Sequence, residues 1–175
     1  MKRGLLLTAL LAFIASAAFA SAAPAPFKPS LIAGKWTGTW KNVTFGSHGS
    51  ALIRARAIGK GNTAKLNFLS DFGGNVFGCA NPPADGVTLT RGKGVNHWGP
   101  VGFAIKGRSK AFGELTLTYN HAKKTIVGFG GKTICNPKLT WKVNGKFVGK
   151  SFTATVNIRL PDGSKAVSKI SLKKA

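Results

Sequence analysis

The side chains able to do chemistry are few. In 175 residues the chain carries three histidines, two cysteines and four carboxylates, Asp71, Asp85, Glu114 and Asp162. General acid–base catalysis needs paired carboxylates, or a histidine with a partner. The four acids are scattered, and Asp71, Asp85 and Asp162 stand in turn-like contexts where Asp caps backbone N–H groups. Glu114, in GELTLTY, faces opposite to Leu115 and Leu117 and reads as the surface partner of a lysine. His48, His97 and His121 fall in turns or loops, with no i,i+2 or i,i+4 pair to hold a metal. No G-x-S-x-G elbow is there to activate a serine. GFGGKT (128–133) ends like a phosphate loop. Ile126 stands where the first glycine is needed, however, and Ile134-Cys135-Asn136-Pro137 follows where a helix should begin. These spacings predict a protein that is not an enzyme, with no cofactor and no metal site.

The two cysteines, Cys79 and Cys135, have neither CxxC spacing nor a histidine beside them, which leaves a disulfide as the expected use of the pair. An oxidising compartment is also what the first residues predict. MKRGLLLTALLAFIASAAFASAAPAP opens with Lys2 and Arg3, continues as a short apolar run and ends in small residues. Ala18-Phe19-Ala20 and Ala20-Ser21-Ala22 both fit an A-x-A cleavage site. The apolar run is short for a membrane span, and no second one of about 18 residues follows. The expectation is a signal peptide over residues 1–22, cleavage near residues 20–22, and a secreted or periplasmic product with no transmembrane segment. Residues 23–33 then form a Pro-rich extended lead, and residues 34–175 a single domain, long enough for a core of its own.

Charge is the strongest compositional signal. Twenty-six Lys and Arg face the four acids, for a net charge of +22 and an isoelectric point near 10.9. Such a field favours polyanions: acidic polysaccharide, nucleic acid or an anionic lipid surface. The cations are spread, however. Lys41, Arg54, Arg56, Lys65, Lys106, Lys165 and Lys169 take outward strand positions, and Lys60, Arg108, Lys110, Lys123 and Lys124 sit in turns, as on a solvated surface. Scarcity of carboxylates has its own consequence. A carboxylate paired in the folded state gives up that stabilisation in acid, and a chain with four has little to lose. The composition therefore also suits an acid-adapted structural protein with no specific ligand.

The elements that must position any site are strands. ALIRARAIG (51–59) alternates, with Ala51, Ile53, Ala55 and Ala57 on one face and Leu52, Arg54 and Arg56 on the other. TAKLNFLS (63–70) turns Ala64, Leu66 and Phe68 inward. GVTLTR (86–91), VGFAIK (101–106), FGELTLTY (112–119), TIVGFG (125–130), KLTWKV (138–143), KFVGKSFTATVNIRL (146–160) and SKAVSKISL (164–172) continue the pattern. Asn144-Gly145 and Pro161-Asp162-Gly163 read as hairpin turns, and Gly149 as a kink. Short strands joined by tight turns predict an all-β fold. The favoured form is an antiparallel up-and-down β-barrel of about 8–10 strands, which leaves no free edge. The alternative is a two-sheet β-sandwich.

Four residues are the candidates for touching a ligand. Trp40 lies in GKWTGTWKN (34–42), where Trp36, Gly38 and Trp40 share one face by period two. Two indoles on one face either build core or line a pocket. Trp141 lies in a later strand. His97 and Trp98 lie in RGKGVNHWGP (91–100), an irregular loop that serves either as a binding loop or as a plug over a barrel mouth. Asn42-Val43-Thr44 matches the N-glycosylation sequon.

Gly34-Lys35-Trp36 resembles the G-x-W that opens the first strand of the calycins, the lipocalin- and avidin-type β-barrels. The resemblance implies a Trp36 that closes one barrel end and packs beside a basic side chain from a late strand, a part open to Lys169 or Lys173. The polar residues that contact biotin in avidin-type barrels are replaced by Thr37-Gly38-Thr39-Trp40, so no ligand carries over. The expected function is non-catalytic binding of an apolar or anionic small molecule by an exported basic barrel. The alternative is an envelope or extracellular protein that binds polyanions through its surface.

Overall fold

A computed structural model describes residues 25–175. The expected signal peptide, residues 1–22, and the start of the lead lie outside them. The described strands are β1 (Gly34–Asn42), β2 (His48–Ile58), β3 (Lys65–Phe72), β4 (Asn75–Val76), β5 (Cys79–Ala80), β6 (Asp85–Arg91) and β7 (His97–Gly99). They continue as β8 (Gly102–Ser109), β9 (Gly113–Asn120), β10 (Thr125–Gly131), β11 (Thr140–Val148), β12 (Ser151–Arg159) and β13 (Lys165–Lys174). Two short 3₁₀ turns, Pro29–Leu31 and Gly61–Thr63, complete the elements.

Eleven strands close into one barrel in the order β1-β13-β12-β11-β10-β9-β8-β7-β6-β3-β2, while β4 and β5 pair as a separate hairpin. The all-β barrel is the expected fold, and the sandwich does not form. The count exceeds the expected eight to ten because the loop read as irregular contributes β7. This strand pairs antiparallel with β8 and parallel with β6, the latter through Thr90 with His97 and Arg91 with Trp98. Parallel contact through a three-residue strand has no periodic signature, so the sequence does not announce it.

Period two holds around the wall. Cross-strand partners point to the same side, so one inward row runs Gly38, Leu172, Phe152 and Phe147, and another runs Ala55, Phe68 and Val87. The expected inward faces of β1, β2 and β3 are all found. One turn was misplaced. β11 runs unbroken through Asn144-Gly145, which pair with Thr155 and Ala154, and the reversal comes at Gly149-Lys150, with Gly149 at φ +55°. Gly145 serves the interior instead: a Cβ there would lie 2.7 Å from the Phe152 ring and 2.8 Å from Ile126.

Both ends are filled by the chain. Where β1 begins, the lead folds back over the barrel. Phe27 is buried against Trp98, Phe103 and Tyr119 with ring centroids 5.5–6.2 Å apart, and its N–H donates to the Pro100 carbonyl. Residues 25–33 are thus docked and partly 3₁₀, where an extended lead was expected. At the opposite end the β4–β5 hairpin lies across the mouth, tied by the expected Cys79–Cys135 disulfide to the loop before β11. The outward strand positions carry mostly Lys, Arg, Thr, Ser and Asn, with Leu69, Val127, Phe129 and Val148 exposed among them. No helix among the described residues is long and apolar enough to cross a membrane.

Candidate functional site

The barrel is not packed solid. An internal cavity of about 340 Å³ lies between the two filled ends. Protein interiors leave few voids larger than a water molecule, and small-molecule pockets begin at about 300 Å³. Its walls are Phe68, Leu115, Leu117, Ile126, Val143 and Phe147 with their inward neighbours, nearly all apolar. Two glycines of the wall lie beneath their neighbours' side chains. Gly128 and Gly130 face inward on β10, and a Cβ at Gly130 would lie 2.4 Å from the Trp141 ring. The cavity reaches the wall between β6 and β8, where Asp85, Val87, Asn96, Lys106 and Arg108 border it.

A second chamber of about 320 Å³ lies toward the hairpin end. Its lining is more polar, with Asn42, Asn75, Asn136 and Ser168 beside Trp40 and Phe45. Phe72, Phe77 and Phe112 border both chambers and form the partition. Phe112 meets Phe72 edge-on at 4.9 Å, and Phe77 stacks on Trp141 at 6.3 Å with planes 7° apart. Phe77 holds that position at φ +52°, in a hairpin pinned by the disulfide.

The structure divides the four candidate ligand residues between different places. Trp141 lines the larger cavity; its indole N–H is taken by the Phe112 carbonyl at 2.9 Å, so it offers a ligand its ring face. Trp40 lines the second chamber and donates to the Gly73 carbonyl at 2.8 Å. His97 and Trp98 border neither chamber. His97 Nδ1 bonds the Val95 carbonyl. Trp98 is buried under Phe27 with Arg91 over its ring at 6.0 Å, and its N–H finds no partner among the described residues. Asn42 is buried as a turn cap, its Oδ1 accepting from the N–H groups of Thr44 and Phe45.

Trp36 is buried at the barrel end where β1 begins and donates its indole N–H to the Ile32 carbonyl at 2.9 Å. Its cation is neither Lys169 nor Lys173. Those residues share the outward face with Ser171, whereas Lys174 pairs directly with Trp36 and sets Nζ 5.6 Å from the ring centre. Alternation counted on from Ile170 and Leu172 would have found it.

Among the described residues no three His, Cys, Asp or Glu side chains gather to hold a metal. Glu114 pairs with Lys132 at 3.1 Å on the surface. Asp85 accepts from Ser109 Oγ at 2.6 Å and from the N–H groups of Lys110 and Ala111, which ties the start of β6 to the β8–β9 turn. Tyr119, raised by burial above the ordinary phenol range, meets His121 Nδ1 at 3.3 Å.

No protein-family model matches this chain, and no curated protein sequence matches it. Among solved structures it is similar to a DUF3598-family protein of unknown function from Nostoc punctiforme. The TM-score is 0.52 at 9% identity, and the match covers 89% of this chain and 53% of that one. The chain thus spans about half the length of that neighbour. At this identity the likeness concerns the fold alone.

Proposed function

We propose that this chain is an exported, calycin-like carrier that holds an apolar or amphipathic small molecule inside its barrel without transforming it. The observation that carries the reading is the apolar cavity of about 340 Å³ in the middle of the wall's closed circuit. Leaving a core unfilled forfeits dispersion contacts and costs stability, and a bound ligand would restore them. The cation over Trp36 at the plugged end favours the calycin kinship. The disulfide is compatible with an oxidising compartment, and the signal-like first 22 residues with export. Native mass spectrometry of the purified protein tests the proposal directly. A retained small molecule, or one taken up from an organic extract of the host's medium, is the expected result. Persistent failure to bind any apolar probe would count against it.

A second reading rests on a separate feature. Lys41 and Lys169, Lys35 and Arg54, and Arg159 and Lys165 are directly opposite one another on neighbouring strands. Like charges placed so are destabilising, and no acid stands among the outward residues of β11, β12, β13, β1 and β2 to relieve them. A polyanion laid on this face would. Binding to heparin that weakens steeply with salt is the expected behaviour; salt-insensitive binding would remove this reading.

A further inference from the structure

The wall has a gap. β6 and β8 are not paired to each other; β7 stands between them, and only at the end where β1 begins. Further along, the side chain of Asn96 takes the place of a strand, donating to the Lys106 carbonyl at 2.9 Å and accepting from the Lys106 N–H at 3.0 Å. At the far end the Asp85 carboxylate reaches Ser109 and the N–H groups beyond it. Between these two ties no strand pairing joins β6 to β8 among the described residues.

Gly107 marks the opening. It pairs with inward-facing Leu115, so it belongs to the barrel's inner face, and its inward neighbours Ile105 and Ser109 are buried. Gly107 is exposed all the same, and a Cβ built on it would meet nothing within 4 Å. An inward position open to solvent is a window. On its β8 side stand Lys106 and Arg108, exposed and bordering the cavity, with Lys110 one step beyond. The acids nearby are engaged. Asp85 caps the β8–β9 turn, and Glu114, opposite Arg108, pairs with Lys132.

We infer that this window is the cavity's doorway, and that Lys106 and Arg108 hold the anionic head of a single-chain amphiphile whose apolar chain lies inside. This deepens the carrier proposal and rests on it. An apolar chain gains by leaving water, while the head stays at the surface in charge-assisted contact with the two cations. Carboxylate and phosphate heads share this chemistry, and the probes separate them.

The test compares dodecanoate, monododecyl phosphate and dodecanol by calorimetric titration. Wild type is expected to bind at least one anionic probe about tenfold more tightly than dodecanol. Lys106→Gln with Arg108→Gln should erase that preference, whereas Lys41→Gln with Lys169→Gln, distant on the outer face, should keep it. A preference lost equally in both pairs would assign it to the overall field and overturn the headgroup site. No binding of any probe by wild type would overturn the carrier reading itself. The doorway has its own readout. Among the described residues both cysteines are in the disulfide and none is free, so Gly107→Cys adds one thiol that can be labelled after folding. A bulky maleimide there should block uptake, and bound dodecanoate should slow the labelling. Full uptake by the labelled protein would show that the ligand enters elsewhere.

Discussion

Lys174 Nζ lies 5.6 Å from the ring centre of Trp36, its direct cross-strand partner, and also donates to the Leu31 carbonyl at 3.3 Å. One late cation thereby fixes both the plug of the barrel and the turn that leads into it. Lys174→Ala should lower stability by about 0.5–1 kcal/mol, the range for a partly exposed cation over a ring. Trp36→Ala, which empties a buried indole site and frees the Ile32 carbonyl, should cost about 3–5 kcal/mol. Urea unfolding at neutral pH measures both. Equal losses would mean that the ring acts only through its cation.

The pairing of Trp36 with a late cation was legible, and the identity of the cation was not, for a reason that recurs. Local turn chemistry and nearest-residue guesses compete with strand period. Asn144-Gly145 carries the strongest hairpin dipeptide, yet Trp141, Val143, Gly145 and Phe147 keep one inward row through it. The all-β barrel, its inner faces and the disulfide could be read because period two and compartment chemistry are local properties. The cavity could not. It depends on how eleven inward rows sum across the barrel, and on the gap beside β7, which no spacing announces. Trp40 and Trp141 were singled out as large aromatics on strands. Lys106 reads from the sequence as an outward strand residue and Arg108 as a turn residue of a solvated surface, and the inward place of Gly107 between them was a usable signal.

The small residues of β10 predict a measurable intolerance. A Cβ at Gly130 would stand 2.4 Å from the Trp141 ring and 2.2 Å from the Glu114 carbonyl oxygen. The carbonyl belongs to the barrel wall and cannot swing away. Gly130→Ala should therefore destabilise by about 1–3 kcal/mol through overpacking, even though alanine suits strands no worse than glycine. A thermal shift of less than about a degree would show that the wall yields there.

Cys79 and Cys135 close a loop with a sequence separation of 56. Cys79→Ala with Cys135→Ala should lower stability by about 4 kcal/mol in the chain-entropy model. A local effect should accompany it. The hairpin carrying Phe77 loses its tether, so the stack of Phe77 on Trp141 loosens and the partition between the chambers opens. Tryptophan emission should shift toward the red in the folded double variant. An unchanged spectrum would show that Phe77 is held by packing alone.

Asp162 gives a pH dependence of defined sign. Ser164 Oγ donates to its Oδ1 at 2.6 Å and the Ser164 N–H at 2.9 Å. These bonds, the side-chain one first, hold the carboxyl below its ordinary range. A lowered folded value means stabilisation that is present above the unfolded pKa, about 3.9, and is lost as pH falls through the folded one. Asp162→Ala should melt slightly below wild type at pH 7 and level with it at about pH 2. A gap that persists unchanged in acid would show that the turn depends on the shape of the side chain and not on its charge.

The cation pairs on the outer face make the last prediction, and it separates structural cost from binding gain. Lys41 and Lys169 are directly opposite across β1 and β13, where side chains stand about 5 Å apart and like charges repel. Salt screens such a pair, with a Debye length of about 10 Å at 0.1 M. The wild-type melting temperature should therefore rise as sodium chloride is added from low ionic strength. Lys169→Glu turns the repulsion into attraction and should raise the melting temperature at low salt, by the equivalent of about 0.2–1 kcal/mol, with the gain fading near 1 M. The same change should weaken heparin binding and flatten its dependence on salt, because fewer counterions are released. Stability gained together with heparin affinity lost would mean that the face tolerates its repulsion for the sake of an anionic partner. Stability gained with heparin binding unmoved would leave the cations as a solvated surface and retire the polyanion reading.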